Sequence, residues 1–170
     1  MKRMWSPWRS QHIERVGADD DEYGADLFRS IGSDSSKDEE NLVIWRGSHV
    51  FVVLNLYPYN NGHLLIVPYR PVANFCDLTV DEQVELATSI DRCMRWLDTA
   101  LRPDGYNVGM NIGRAAGAGI PGHIHTHVIP RWAGDTNFMP LVADIRVVPE
   151  SMADTFRKLK RAVIQSDSKN

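Results

Sequence analysis

The sequence predicts an α+β domain: an antiparallel sheet of about five strands, one long helix packed against it, and a second helix near the C-terminus. Three observations carry this. Between Leu42 and Val67, three short β-rich runs are separated only by turn residues. From Thr79 to Leu101 apolar residues recur at spacings of three and four, the helical period, and from Gly122 to Arg131 the chain alternates strictly, the strand period.

Taken in order, residues 1–16 mix Trp5, Trp8 and Ile13 with Arg3, Arg9 and Arg15, and Pro7 favours an extended entry. Aromatic residues this near a terminus are expected to cover something: their own domain, a partner subunit or the base of a ligand. Residues 17–41 hold Asp19-Asp20-Asp21-Glu22 and the polar run from Ser33 to Glu40, and are expected as a mobile acidic loop without chemistry. Leu42 to Trp45, Val50 to Leu54 and His63 to Val67 then form a meander, closed by Pro68 and Pro71. Thr79 with Glu82 matches a capping box, and Val84, Ala87, Ile90, Met94, Leu97 and Leu101 form the expected stripe against the sheet. Pro103-Asp104-Gly105 ends that helix. Strand texture resumes from Tyr106 to Asn111, and a loop with glycines at 113, 117, 119 and 122 leads into the histidine run. Ile145 to Val148 suggests a short strand, and Met152, Phe156, Leu159 and Val163 mark the last helix.

With 170 residues and 43% apolar content the chain suits a single domain with a real core. Its expected parts are an extension over 1–41, a core over 42–135 and a C-terminal extension with a helix over 136–170. A net charge of −3 argues against coating a nucleic acid polymer through bulk charge. Cys76 and Cys93 are the only cysteines and read as reduced thiols, since two so far apart make neither a Cys-x-x-Cys site nor a disulfide framework. Neither an apolar signal segment nor a membrane-spanning run is legible, so a cytoplasmic protein without membrane contact is expected.

His123, His125 and His127 should line one face of their strand, roughly 6.8 Å apart at alternate positions. Such a row suits a solvated sheet face, a metal site, or a nucleophilic imidazole flanked by two that bind an anion. The glycine-rich loop before it favours the last, because missing side chains let backbone amides approach an anion.

With its surroundings, His123-Ile124-His125-Thr126-His127-Val128-Ile129 resembles the motif of the histidine triad family of nucleotide hydrolases and transferases, His-x-His-x-His followed by two apolar residues. Thr126 is a polar departure at one x position. Asn55 and His63 in LNLYPYNNGHLLIVP, and Asn111 in MNIGRAAGAG, stand where that family has nucleotide-binding residues. The likeness covers about residues 42–135. The Trp-Ser-Pro-Trp-Arg start, the PYNNGH turn and the RWAGDTNF continuation look most like the bacterial branch containing diadenosine tetraphosphate phosphorylases.

The resemblance implies a histidine-triad fold, a homodimer, and cleavage of dinucleoside polyphosphates at the α-phosphate. In that scheme His125 attacks through Nε2 to form a nucleotidyl-histidine, which phosphate or water then resolves. His127 and His123 would face the non-bridging oxygens, while Asn111 and the amides around Gly117 and Gly119 assist the phosphate chain. Asn55 would bond the ribose hydroxyls and His63 would support the triad from behind. Val53 and Leu65, with Trp5 or Trp8, are candidates for the base pocket, and adenine is the expected base. No cofactor is expected. Many relatives carry a Cys-x-x-Cys for structural zinc, but the corresponding stretch from Glu22 to Phe28 has no cysteine, so none is expected here. The alternatives are a nucleoside phosphoramidate hydrolase, a tri-histidine metal-binding protein, and a nucleotide-binding protein without catalysis.

Overall fold

The computed structural model describes residues 20–135 and 150–168, and for 20–26 the backbone alone. Trp5, Trp8 and the strand expected at Ile145 to Val148 lie outside these residues. The strands are β1 (Val43–Arg46), β2 (Val50–Leu54), β3 (Leu64–Pro68), β4 (Gly105–Met110) and β5 (Thr126–Arg131). They form one five-stranded antiparallel sheet in the order β1-β2-β3-β5-β4. The meander arises because the gaps between β1, β2 and β3 hold turn-forming Gly, Pro and Asn.

Alternation along the strands divides the apolar residues between two faces. On one face Val50, Val52, Leu54, Leu64, Ile66 and Val128 pack under two helices, α2 (Val80–Leu101) and α3 (Met152–Asp167). Each fully buried aliphatic side chain there contributes about 1.5–3 kcal/mol. Thr79 caps α2 through the predicted box, accepting from the Glu82 amide while the Glu82 carboxylate accepts from the Thr79 amide. Arg102, left-handed at φ 51°, closes it by donating to the Leu97 carbonyl. The expected stripe holds over its C-terminal two thirds, where Leu97 is buried and Ile90, Met94 and Leu101 pack against the core, and fails at its start. Val84 and Ala87 are exposed, and Leu86, Cys93, Trp96 and Leu97 face the core. Leu86, Cys93 and Trp96 add to the buried side beside Leu97, so the face is rotated from the expected one at its N-terminal end. Trp96 packs against Trp45, which also lies under the Arg92 guanidinium.

The second face is covered by an element absent from the sequence reading. Where residues 17–41 predict a mobile loop, the chain forms α1 (Asp20–Ser33) and a 3-10 turn at Ser35–Lys37. Phe28 and Ile31, three apart, bury against Phe51, Val53, Leu65 and Val67. The Arg46 side chain, gripped by both carboxylate oxygens of Asp38, donates to the Ile31 and Gly32 carbonyls at the C-terminal end of α1. A cation on orphan carbonyls favours the helix end through hydrogen bonding and the helix dipole. The helix is thus held by tertiary contacts rather than by its propensity. Among the described residues no helix is long and apolar enough to cross a membrane.

Candidate active site

β3 and β5 are neighbours, with Leu65 opposite His127 and Gly109 of β4 on its other side. This register sets His63, just before β3, against His127 across the face that α1 covers. The turn from Asn55 to His63 enters β3 through Gly62 at φ 75°, where a Cβ would lie 2.5 Å from Leu101 Cδ1, so glycine is required there.

The ring nitrogens of the cluster can be assigned from their partners. His63 Nδ1 lies 3.0 Å from the Tyr59 amide and 3.2 Å from Asn55 Nδ2. An amide N–H only donates, so His63 Nδ1 accepts and its proton sits on Nε2. His63 Nε2–H therefore donates to His127 Nδ1 at 2.9 Å. His127 in turn carries its proton on Nε2, a buried atom with no partner among the described residues. His125 is the reverse. Its Nδ1 lies 2.9 Å from the His123 carbonyl and must donate to it, leaving a lone pair on Nε2. The His125 and His127 rings meet edge to face at 5.0 Å.

Burial holds both imidazoles neutral. Desolvation lowers the His125 pKa, opposed by its bond to the His123 carbonyl. Desolvation, aided by the nearby His125, lowers that of His127 to about 4. At neutral pH the site offers one imidazole with a lone pair on Nε2 beside one with an N–H that has no acceptor among the described residues, suited respectively to nucleophilic attack and to stabilising an oxyanion.

The other predicted residues fall at varying distance from this pair. The row is not a continuous strand: β5 begins at Thr126, and His123 and His125 precede it. Fully buried His123 donates from Nε2 to the Pro68 carbonyl at 2.8 Å, so that edge of its ring ties the loop to the end of β3. Asn55, expected at the ribose, has both ends of its amide engaged in the turn, with Oδ1 accepting from the Tyr57 amide. The second lone pair of Oδ1 is what a ribose hydroxyl would use. Asn111 donates to the Gly117 carbonyl, and the Gly117 amide is spent on the Arg114 carbonyl within a 3-10 turn (Arg114–Ala116). Of the two glycines predicted to cradle phosphate, Gly117 instead supplies the turn, at φ 84°, and Gly119 borders open space. Val53 and Leu65, paired across β2 and β3, lie under α1 on the histidine face.

Two residues were missed. Phe28 of α1 sets its ring 5.3 Å from His125 and 5.4 Å, edge-on, from His123. The Leu27-Phe28-x-x-Ile31 spacing is the signal that marks it. Tyr59 stacks on His127 at 5.7 Å and 16°, with its ring 4.8 Å from His63. Nothing in a Tyr-Pro-Tyr turn distinguishes which tyrosine faces the site. Among the described residues no group of three or more His, Cys, Asp or Glu is arranged to hold a metal ion, and Cys76 and Cys93 are free.

Known proteins resemble this chain in sequence and fold. The profile of the HIT domain matches residues 36–134. A relative from Mycobacterium tuberculosis (strain ATCC 25618 / H37Rv), named AP-4-A phosphorylase, is 41% identical over 163 residues, spanning 94% of this chain and 83% of its own. The bis(5'-adenosyl)-triphosphatase of Saccharomyces cerevisiae (strain YJM789) is 35% identical over 91 residues, 53% of this chain and 44% of that protein. Among solved structures, that of a zinc-bound histidine triad family protein from Mycobacterium smegmatis superimposes with a TM-score of 0.68 at 28% identity, covering 85% of this chain and 96% of the other. Sequence similarity along nearly the whole chain and the shared fold agree with the geometry of the histidine cluster: the chain belongs to the histidine triad (HIT) family.

Proposed function

We propose that this protein cleaves dinucleoside polyphosphates of the diadenosine tetraphosphate type at the α-phosphate, through a covalent nucleotidyl-His125 that inorganic phosphate resolves. The observation that carries the reading is the opposite protonation of two touching imidazoles. His125 Nε2 has a lone pair because Nδ1 is committed to the His123 carbonyl, and His127 offers Nε2–H because its Nδ1 accepts from His63. In the first step the Nε2 lone pair forms an N–P bond while the bridging P–O bond breaks, its electron pair leaving with the nucleoside polyphosphate. In the second, a phosphate oxygen attacks the same phosphorus and the N–P electron pair returns to Nε2. His127 Nε2–H stabilises the charge that develops on a non-bridging oxygen in both steps. Asn111 and Gly119 lie on the loop that would flank the phosphate chain, and an adenine that uses Val53 and Leu65 would have to enter beside Phe28, which packs over them. The phosphorylase name of the mycobacterial relative, 41% identical, supports phosphate as acceptor.

The experiment is product analysis. Diadenosine tetraphosphate plus phosphate should yield ADP and ATP; AMP and ATP regardless of phosphate would make water the acceptor. Release of amine from an adenosine phosphoramidate with no dinucleotide turnover would favour the phosphoramidate reading, and no turnover of either sinks both. Label from [α-32P] substrate should stay on the wild-type protein in alkali, where an N–P bond survives, and be absent from His125→Ala. We further infer a cytoplasmic homodimer without structural zinc. Val108 and Ile112 expose apolar surface along and just beyond β4, whose outer edge has no partner strand among the described residues, so a second copy would pair there. Sedimentation equilibrium and metal analysis test these two points.

A further inference from the structure

We propose that Asp135 is a positioning residue for the histidine cluster, acting through Asn60 to hold the Tyr59 amide on His63 Nδ1 and thereby to set which nitrogen of His127 carries the proton. The inference deepens the function proposed above and rests on it for its kinetic part only.

The Tyr59 amide is the shorter of the two donors that oblige His63 Nδ1 to accept, Asn55 Nδ2 being the other, and both belong to an irregular turn between Leu54 and Leu64, where no sheet ladder fixes their direction. The next residue supplies the restraint. Asn60 Nδ2 donates to Asp135 Oδ2 at 2.8 Å and to the Pro130 carbonyl at 3.2 Å. Asn60 Oδ1 accepts from the Asn61 amide, and the Asn60 carbonyl accepts from the His63 amide. Asn60 thus ties this turn to β5 and to Asp135 just after it through Nδ2, and to His63 through its carbonyl.

Asp135 is the far post of the brace. Its carboxylate takes Arg131 Nε and one terminal nitrogen at 2.6 Å each, and Oδ2 also accepts from the Trp132 amide at 3.0 Å. The remaining Arg131 nitrogen donates to Asn107 Oδ1 on β4 at 2.7 Å. An ordinary surface ion pair would leave Oδ2 to water. Here one oxygen receives the guanidinium, a backbone amide and the Asn60 amide, which welds the end of β5 to the turn that feeds the histidines. Hydrogen bonding to Arg131 keeps the carboxyl ionised down to about 2, so the brace stays intact across working pH.

Without the brace the turn loosens, and Tyr59 N–H and the Asn55 side-chain amide, itself held to this turn by the Tyr57 N–H, drift from His63 Nδ1. The proton of His63 is then free to occupy Nδ1, its Nε2 accepts from His127 Nδ1–H, and His127 presents a lone pair where an N–H is needed. Asp135→Asn and Asn60→Ala should therefore share one phenotype, read by two-bond 1H–15N correlation of the imidazoles, which distinguishes the tautomers with no substrate present. Wild type should show His63 and His127 as Nε2–H; both variants should show Nδ1–H populations at His63 and His127, with kcat on diadenosine tetraphosphate falling about tenfold or more and KM little changed, since a misplaced proton on a catalytic imidazole acts on the chemical step. Asn107→Ala, which cuts the branch leading away from His63, should leave tautomers and kcat as in wild type. Wild-type tautomers in a folded Asn60→Ala or Asp135→Asn protein would overturn the proposal, as would a tautomer change in Asn107→Ala equal to theirs. If one brace variant fails to fold, the other decides. A wild type that turns over no dinucleotide would defeat the proposed function and leave the tautomer result to judge the brace.

Discussion

The two faces of the sheet are made by the same strands, yet they do different work. On the α2 and α3 face, Val50, Val52, Leu64, Ile66, Leu97 and Leu159 lie entirely out of solvent. On the α1 face the strands present Val53, Leu65 and Val67, but beside them stand His63 hydrogen-bonded to His127, and His125 hydrogen-bonded to the His123 carbonyl. The contrast shows how a small fold separates stability from chemistry. Both faces keep buried side-chain atoms without a partner among the described residues, the hydroxyls of Ser89 and Thr126 on the dry side and His127 Nε2 on the other, but only the last is a ring N–H that can meet a developing charge.

The largest effect should come from the chemical face. His125→Ala removes the attacking nitrogen, and single-turnover rates on diadenosine tetraphosphate should fall by about 10⁴-fold or more, with the thermal midpoint nearly unchanged. A residual rate within tenfold of wild type would assign the nucleophile elsewhere. Leu97→Ala reverses the pattern: it opens a cavity on the dry face and should cost about 2–5 kcal/mol in urea unfolding, while kcat of the folded fraction holds. Equal loss of both properties would break the division between the faces.

Acid should act through the histidine face. His127 titrates at about 4 in the folded protein against an ordinary value of 6.5, so between those pH values the unfolded chain binds the extra proton. Stability therefore rises with pH through this window and is lost as pH falls from about 6.5 to 4, by up to about 3 kcal/mol for this group. His127→Gln should flatten that slope in a pH series of denaturation midpoints; an unchanged slope would assign it to other groups. The smallest effect is expected at the start of α2, where Thr79→Ala loses the cap and should lower stability by about 1 kcal/mol without altering the pH slope.

Much of the fold was legible because it is local. Turn residues between short β runs, the Thr79–Glu82 box and the strand alternation each depend on neighbours within a few positions, and the strands and α2 fell where those patterns put them. Composition misled at α1. Its acidic, glycine-containing sequence reads as loop, and only the meeting of Phe28 and Ile31 with the sheet, and of Arg46 with its last carbonyls, makes it a helix. The stripe of α2 was legible from Ile90 to Leu101 but not at its start, where Leu86 rather than Val84 or Ala87 meets the core, because which side of the first turns faces the sheet depends on partners distant in the chain.

The histidine row shows where local information stops. The sequence determined that three imidazoles would lie close together beside a glycine-rich loop, because alternation and turn chemistry are properties of the chain itself. Tertiary structure decided what each is for. His123 binds Pro68, His125 is turned by the carbonyl of His123, and His127 is turned by His63, whose own proton is set by an amide in a turn braced by Asp135. A proton's place on an imidazole is fixed by the partner at the opposite nitrogen, and for His127 that partner is 64 residues away in the chain and comes within 2.9 Å only when β3 pairs with β5.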